Sequence, residues 1–449
     1  LPIWLSSHLG NSQDLGMELE SFRVRPTSAT PRQSLPLTAF DILWFRFFPV
    51  ERLFFYAIPD LSSDHFHRVV VPRLKHSLSL TLDHFYPLAG RVAWPSGEPR
   101  PLILCEPNDS VSFRVVESKE PDSFLVFSGK TPHSVAAASY LVSELDTSKS
   151  EAAAISLQVT IFVGQGLALG ISAHHAVLDG KSSTMFLKAW AHINNKLYAG
   201  KEVERSLPVE LTPLIGLRDN VDEPYDEVLK IANQVGSVIT SVPMPDVNPE
   251  VVSGTVSFTR RDAEKLREIV LTELGESRHL STFVLALAYS LTCLAKAKSQ
   301  ERIAYCFVAD YRTKLNLASS ENYFGNCVHA AIESFGAETE IVGALVKKVS
   351  EMVEYLKESS YADTTKRFME TLSECGEIPV GVAGSPRFGV YKIDFGWGRP
   401  VKVEVPSIYR TGAISMADDR DGDGGIEIGI VLPPDQMKSF IFYFLNFLN

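Results

Sequence analysis

Two apolar runs limit what this chain can fold into. "ISLQVTIFV" (155–163) and "LALGISAHH" (167–175) are separated by Gly164-Gln165-Gly166. Their β-rich composition and the glycine-flanked turn predict a hairpin. Runs this apolar belong at the centre of a sheet and not at its edge. The second run leads into "HHAVLDG" (174–180) and then "KSSTMFLKAWAHINNKL" (181–197), whose apolar residues recur at helical spacing. A polar motif therefore sits at the C-terminal end of a buried strand, on the turn into a helix.

Strand and helix signals recur on either side. "DHFHRVVVPRLKHSLSLTLDHF" (64–85) reads as a helix with Asp64 as its N-cap. Residues 201–250 are proline-rich and weakly periodic, as a long linker would be. After them come strand "VSGTVSFT", helix "RRDAEKLREIVLTEL", a helix over 281–297 and strand "RIAYCFVAD". A chain of 449 residues exceeds one ordinary core. The expected architecture is mixed α/β, with two domains (17–200 and 251–449) joined by the 201–250 crossover. A site between the domains is the default expectation. Residues 1–16 read as a non-native or disordered leader.

Three chemistries compete for "HHAVLDG". Adjacent residues on a strand face opposite ways, so His174 and His175 cannot share one metal ion. No HExxH or Cys/His cluster supports a metal elsewhere. A polar strand end with one satisfied histidine is the plain structural reading. The third is a general base, since a neutral imidazole suits deprotonation of a hydroxyl near pH 7. Gly180 would then permit a tight turn, and Asp179 would orient the ring or brace the loop. A net charge of −11 argues against nucleic acid or an anionic membrane as partner. The five cysteines, Cys105, Cys293, Cys306, Cys327 and Cys375, form no CxxC pair and suggest free thiols in a reducing, cytoplasmic setting. "DRDGDGGIEIGI" (419–430) begins like a calcium loop but has Ile430 in place of the closing glutamate. It reads as a hairpin tip.

Four motifs occur in order: "LPLTAFDILW" (35–44), "HHAVLDG", "NYFGNC" (322–327) and "DFGWG" (394–398). Together they resemble the plant BAHD acyltransferases, in particular the branch that acylates the sugars of anthocyanins and other flavonoid glycosides. The resemblance implies two chloramphenicol-acetyltransferase-like domains with a tunnel at their interface. It implies a monomer that uses acyl-CoA as co-substrate, a glycosylated phenolic as acceptor, and no cofactor or metal. His175 would be the general base; "DFGWG" would lie away from it and support the loop near the CoA channel, with Trp397 the candidate for helping hold the acceptor or the oxyanion. Asp179 would pair with an arginine, for which Arg312 is the candidate, while Asp394 and Gly180 would be structural. Ser281, Thr282 and Arg399 would touch CoA, and Thr38 and Asp41 the acceptor. Malonyl-using members tend to carry an arginine early in the helix after HHxxxDG, where this chain has Ser183. That favours an uncharged hydroxycinnamoyl donor over malonyl-CoA, with Lys181 as the one nearby cation. The alternative of another class is a non-catalytic relative that binds a ligand in the tunnel.

Overall fold

The computed structural model describes residues 15–28, 32–201, 206–215, 248–275, 278–314, 320–336, 342–375 and 379–446. Its centre is the predicted hairpin. β9 (Ile155–Phe162) and β10 (Gly166–Ala173) pair antiparallel, and every residue of both strands is buried. They occupy the middle of a six-stranded sheet completed by β1 (Gly16–Val24), β6 (Val111–Ser118), β3 (Val50–Ala57) and β15 (Lys402–Glu404), in the order β1-β6-β9-β10-β3-β15.

Two helices cover one face of this sheet. α2 (Val71–His84) packs on α3 (Gly180–Tyr198), and Trp190 of α3 is fully buried, its indole N–H donating to Leu74 O and Ser77 Oγ. The helix predicted over 64–85 differs at its start. Its N-cap is Ser62, whose hydroxyl accepts from His65 N, and not Asp64. A π turn over Phe66–Val70 precedes α2. Pro72 has no N–H for an α-helical bond, so the register is loosened just ahead of it. The leader expectation also needs correction at its edge. Leu15 is buried and its carbonyl accepts from Lys119 N, and Gly16 already pairs with Ser118 in β1. Residues 1–14 lie outside the described residues.

The second half builds a seven-stranded sheet. It runs β13 (Val328–Gly336), β12 (Arg302–Asp310), β14 (Val380–Ala383), β16 (Ile414–Asp418), β17 (Ile426–Leu432), β11 (Val252–Phe258) and β7 (His133–Ser134). α4 (Arg260–Leu274) and α5 (Thr282–Lys298) follow β11, and together with α6 (Val342–Glu358) they share one core with this sheet. β16 and β17 form a hairpin around the acidic tip at 419–425. A third, four-stranded sheet contains β2 (Gln33–Pro36), β5 (Leu102–Cys105), β4 (Arg91–Ala93) and β8 (Glu151–Ala153).

The halves exchange strands. β7 comes from the first half and pairs with β11, while β15 comes from the second and pairs with β3. Of the predicted linker, 202–205 and 216–247 lie outside the described residues. Within 206–215, Leu214 bridges to Tyr323 of the second half. Among the described residues no helix is long and apolar enough to cross a membrane.

Candidate active site

β10 ends at Ala173, so both histidines lie just beyond the strand. They part there. His174 turns inward, is 5% exposed, and its Nδ1 accepts from Ala176 N at 3.2 Å. His175 enters an aromatic slot. Trp44 stacks on its ring at 4.1 Å and 9°, and Phe47 meets it edge-on at 5.3 Å. Among the described residues His175 Nδ1 has no hydrogen-bond partner. Burial disfavours the imidazolium, and the His175 pKa falls to about 4 despite the Asp179 charge, so the ring is neutral at pH 7.

Asp179 caps α3, accepting from Ser182 N at 2.9 Å. Its other oxygen lies 2.8 Å from Nη1 of Arg312, which is fully buried, and accepts from Cys327 N at 3.1 Å. Burial pushes the Asp179 carboxyl up, but Arg312 and the two amides outweigh it and hold it below the usual carboxylate range. Arg312 also reaches Asp310 Oδ1, Ser182 Oγ and the carbonyls of Tyr323 and Gly325. Both carboxylate oxygens of Asp179 are therefore spent on anchoring the loop.

The "NYFGNC" segment grips the loop from the second half. Ser182 Oγ donates to Gly325 O and accepts from Gly325 N. Asn326 Nδ2 donates to the carbonyl of His175 at 2.8 Å and to Asp41 Oδ1 at 3.0 Å. Asp41 closes a capping box with Thr38 at the start of α1 (Ala39–Ile42). Thr38 is 2% and Asp41 0% exposed. The expectation that these two bind the acceptor is corrected: they are shielded, and they brace the His175 backbone through Asn326. α1 leads directly to the Trp44 slot.

Trp397 is also displaced from its expected role. Its ring packs on Phe395 and Tyr56. The same segment is tied to the far end of α3: Asn194 Nδ2 donates to Phe395 O and Asn195 Nδ2 to Asp394 O. Fourteen residues separate Gly180 from Asn194; at the α-helical rise that is about 20 Å. Trp397 is thus remote from His175 and supports the fold. Asp394 accepts from the amides of Gly396 and Gly398, both at positive φ, and so shapes that turn.

Gly180 has no positive φ. What it requires is space, since a Cβ there would lie 2.7 Å from the Phe388 ring. Ser281 caps α5 and Thr282 begins it, in the second half. Arg399 is exposed just before β15, which joins the first sheet. No described contact unites these three into a CoA site. Lys181 is held by Asp310 at 3.1 Å and by Glu321. Ser183 is buried in the first turn of α3.

The sequence did not single out Trp44, Phe47, Ser182 or Asn326 individually. Each sits in or beside a quoted motif, but no periodicity tells which member of a motif meets which. Cys327 is fully buried, and burial pushes its thiol well above the ordinary range, which makes it a poor nucleophile. Among the described residues the arrangement presents one neutral imidazole in an apolar slot.

Three comparisons bear on this geometry. A family model described as the transferase family matches residues 18–443. The chain is 39% identical to phenolic glucoside malonyltransferase 2 of Arabidopsis thaliana, over 96% of this chain and 99% of that one. It is 33% identical to agmatine coumaroyltransferase of the same plant, over 95% and 98%. The crystal structure of vinorine synthase superposes with a TM-score of 0.72 at 21% identity, covering 94% of this chain and 96% of that one, which shows a shared mixed α/β fold.

Proposed function

Since the chain belongs to the BAHD acyltransferases, the transferase family matched over residues 18–443, we propose that His175 is the base of an acyl transfer from acyl-CoA to a hydroxyl of a phenolic glycoside. The observation that carries this reading is the neutral His175 ring, stacked on Trp44 and met edge-on by Phe47. The imidazole removes the acceptor proton as the hydroxyl oxygen attacks the thioester carbon. The tetrahedral intermediate places negative charge on the former carbonyl oxygen, and a preorganised donor lowers that barrier. We assign this role to Trp44: among the described residues its Nε1–H is buried without a partner, in a ring parallel to the imidazole. Collapse breaks the carbon–sulfur bond, and the imidazolium returns its proton to the departing CoA thiolate. The ester forms directly, with no acyl-enzyme.

The donor assigned here is malonyl-CoA. Support comes from the malonyltransferase at 39% identity. The expected hydroxycinnamoyl donor rested on the lack of an arginine at position 183, and the relative named for coumaroyl transfer keeps it as the second reading. The test is incubation with a phenolic glucoside and either malonyl-CoA or p-coumaroyl-CoA, with product mass measured. A malonyl ester as main product supports the first reading. A covalent acyl-enzyme seen by intact mass overturns direct transfer.

A further inference from the structure

Asp179, the acid of HHxxxDG, does not orient the His175 ring, because Ser182 N, Arg312 and Cys327 N take its oxygens. The ring still needs an orienting group. A neutral imidazole carries one N–H, and the nitrogen that holds it cannot be the base. The two nitrogens differ in setting. Nδ1 is sealed from solvent, whereas among the described residues Nε2 is neither sealed nor bonded, so Nε2 is the one open to an acceptor hydroxyl. Catalysis through Nε2 places the proton on Nδ1, and a buried N–H left without an acceptor is costly.

Asn326 is fully buried and lies against that nitrogen's residue. Its amide nitrogen gives one N–H to the His175 carbonyl at 2.8 Å and the other to Asp41 Oδ1 at 3.0 Å. Two acceptors on the nitrogen settle which way the amide faces, since turning it over would set its oxygen against a carboxylate and a carbonyl. The facing is enforced from behind. Asp41 Oδ1 also accepts from Asn326 N at 3.1 Å, and Asp41 Oδ2 accepts from Thr38 N at 3.0 Å and Thr38 Oγ1 at 2.8 Å. One sealed acceptor, Asn326 Oδ1, and one sealed ring nitrogen, His175 Nδ1, are then left over on two residues already joined by a hydrogen bond. Burial is the largest influence on the ring and favours its neutral form; the Asn326 side chain works the other way, as an acceptor facing an imidazole N–H does. Catalytic hydrogen bonds are often long in a ligand-free enzyme and tighten once substrate is bound.

We propose that Asn326 is the positioning residue that selects the His175 tautomer: its amide oxygen accepts from Nδ1–H and leaves Nε2 bare to take the proton of the acceptor hydroxyl. The imidazolium so formed donates through both nitrogens, Nδ1 to Asn326 and Nε2 to the departing thiolate. The inference rests on the reading of His175 as the base. It gives Thr38 and Asp41 a purpose beyond capping α1, for they hold the amide in the facing that this tautomer needs.

The experiment reads, by nitrogen NMR with isotope-labelled histidine, which ring nitrogen carries the proton in wild type and in Asn326→Ala. His175→Gln locates the His175 signals by their loss. The wild type is expected to show Nδ1 protonated and Nε2 bare at pH 7. In Asn326→Ala a protonated Nε2 should appear, and kcat should fall about 10-fold to 1,000-fold with KM for malonyl-CoA little changed. A purely structural residue would lower the melting temperature and leave the tautomer alone. An Asn326→Ala protein that keeps the proton on Nδ1 overturns the proposal whatever its kcat, because the His175 carbonyl then suffices. Should Asn326→Ala not fold, the wild-type spectrum decides: Nδ1 protonated supports the proposal, and a protonated Nε2 or a mixture of tautomers overturns it. Failure of the underlying reading shows separately. A His175→Gln protein with full turnover removes the base itself, whereas the wrong tautomer in a protein that needs His175 removes only the role of Asn326.

Discussion

His174 and His175 are neighbours with opposite fates, and substitution should separate them. His175→Ala is expected to lower kcat by about 100-fold to 10,000-fold with the melting temperature kept, the range for loss of a general base. His174→Ala should cost stability first, because its ring fills the interior beside Phe45 and holds Ala176 N. Equal kinetic losses would remove the assignment. Trp44→Phe keeps a stacked ring and deletes only the N–H; a kcat loss of about 10-fold to 1,000-fold at similar KM is expected if the indole binds the oxyanion. Asp179→Asn strands the buried Arg312 charge at a cost of about 3–5 kcal/mol, read as a lower denaturation midpoint. A stable Asp179→Asn protein with lost activity would point instead to direct catalysis by the carboxylate. At this scale the sequence marked the residues to look at, because HHxxxDG is a distinctive pattern. It showed partners poorly: Trp44 and Phe47 reach His175 only because α1 returns to the end of β10, which spacing along the chain does not encode.

α3 is the element that organises the site, as a rod with different work at each end. Its first turn is fixed by the Asp179 cap, Arg52 and Ser182, and its last turns by the "DFGWG" loop. Gly180→Ala tests the first end. The added methyl would press on Phe388 and Arg52, and a loss of about 1–3 kcal/mol in stability is expected, as for overpacking in a filled core. An unchanged midpoint in urea would show that the ring can step aside. The hairpin and this helix were readable because apolar periodicity over eight or more residues is a strong signal. Trp397 shows the limit of that signal. Its motif is easily seen, but whether it packs at one end of α3 or the other depends on Asn194 and Asn195, two ordinary residues of the helix.

Burial keeps rings neutral in both halves of the chain. His174, His175 and His329 all have pKa values lowered to about 4 by burial. Unfolded, each would titrate near 6.5. Between about pH 6.5 and 4 the unfolded chain therefore binds more protons than the native one, and stability falls as pH falls. Each histidine can contribute up to about 1.4 kcal/mol per pH unit in that window. The urea midpoint should thus drop between pH 7 and pH 5, and a flat profile would show that these rings are not desolvated. Activity should persist below pH 6, since His175 stays unprotonated there, until the fold itself yields. The mixed α/β class was legible at this scale, but the exchange of β7 and β15 was not, for strands of two or three residues leave no pattern. That exchange sets a rule for recombining this chain with its relatives. A hybrid joined only at the 201–250 crossover would inherit each borrowed strand from the wrong parent: β7 would meet a foreign β11, and β15 a foreign β3. Functional hybrids should be recovered when residues 133–134 and 402–404 are transplanted with the sheets they complete, so the unit of inheritance is the sheet and not the half-chain.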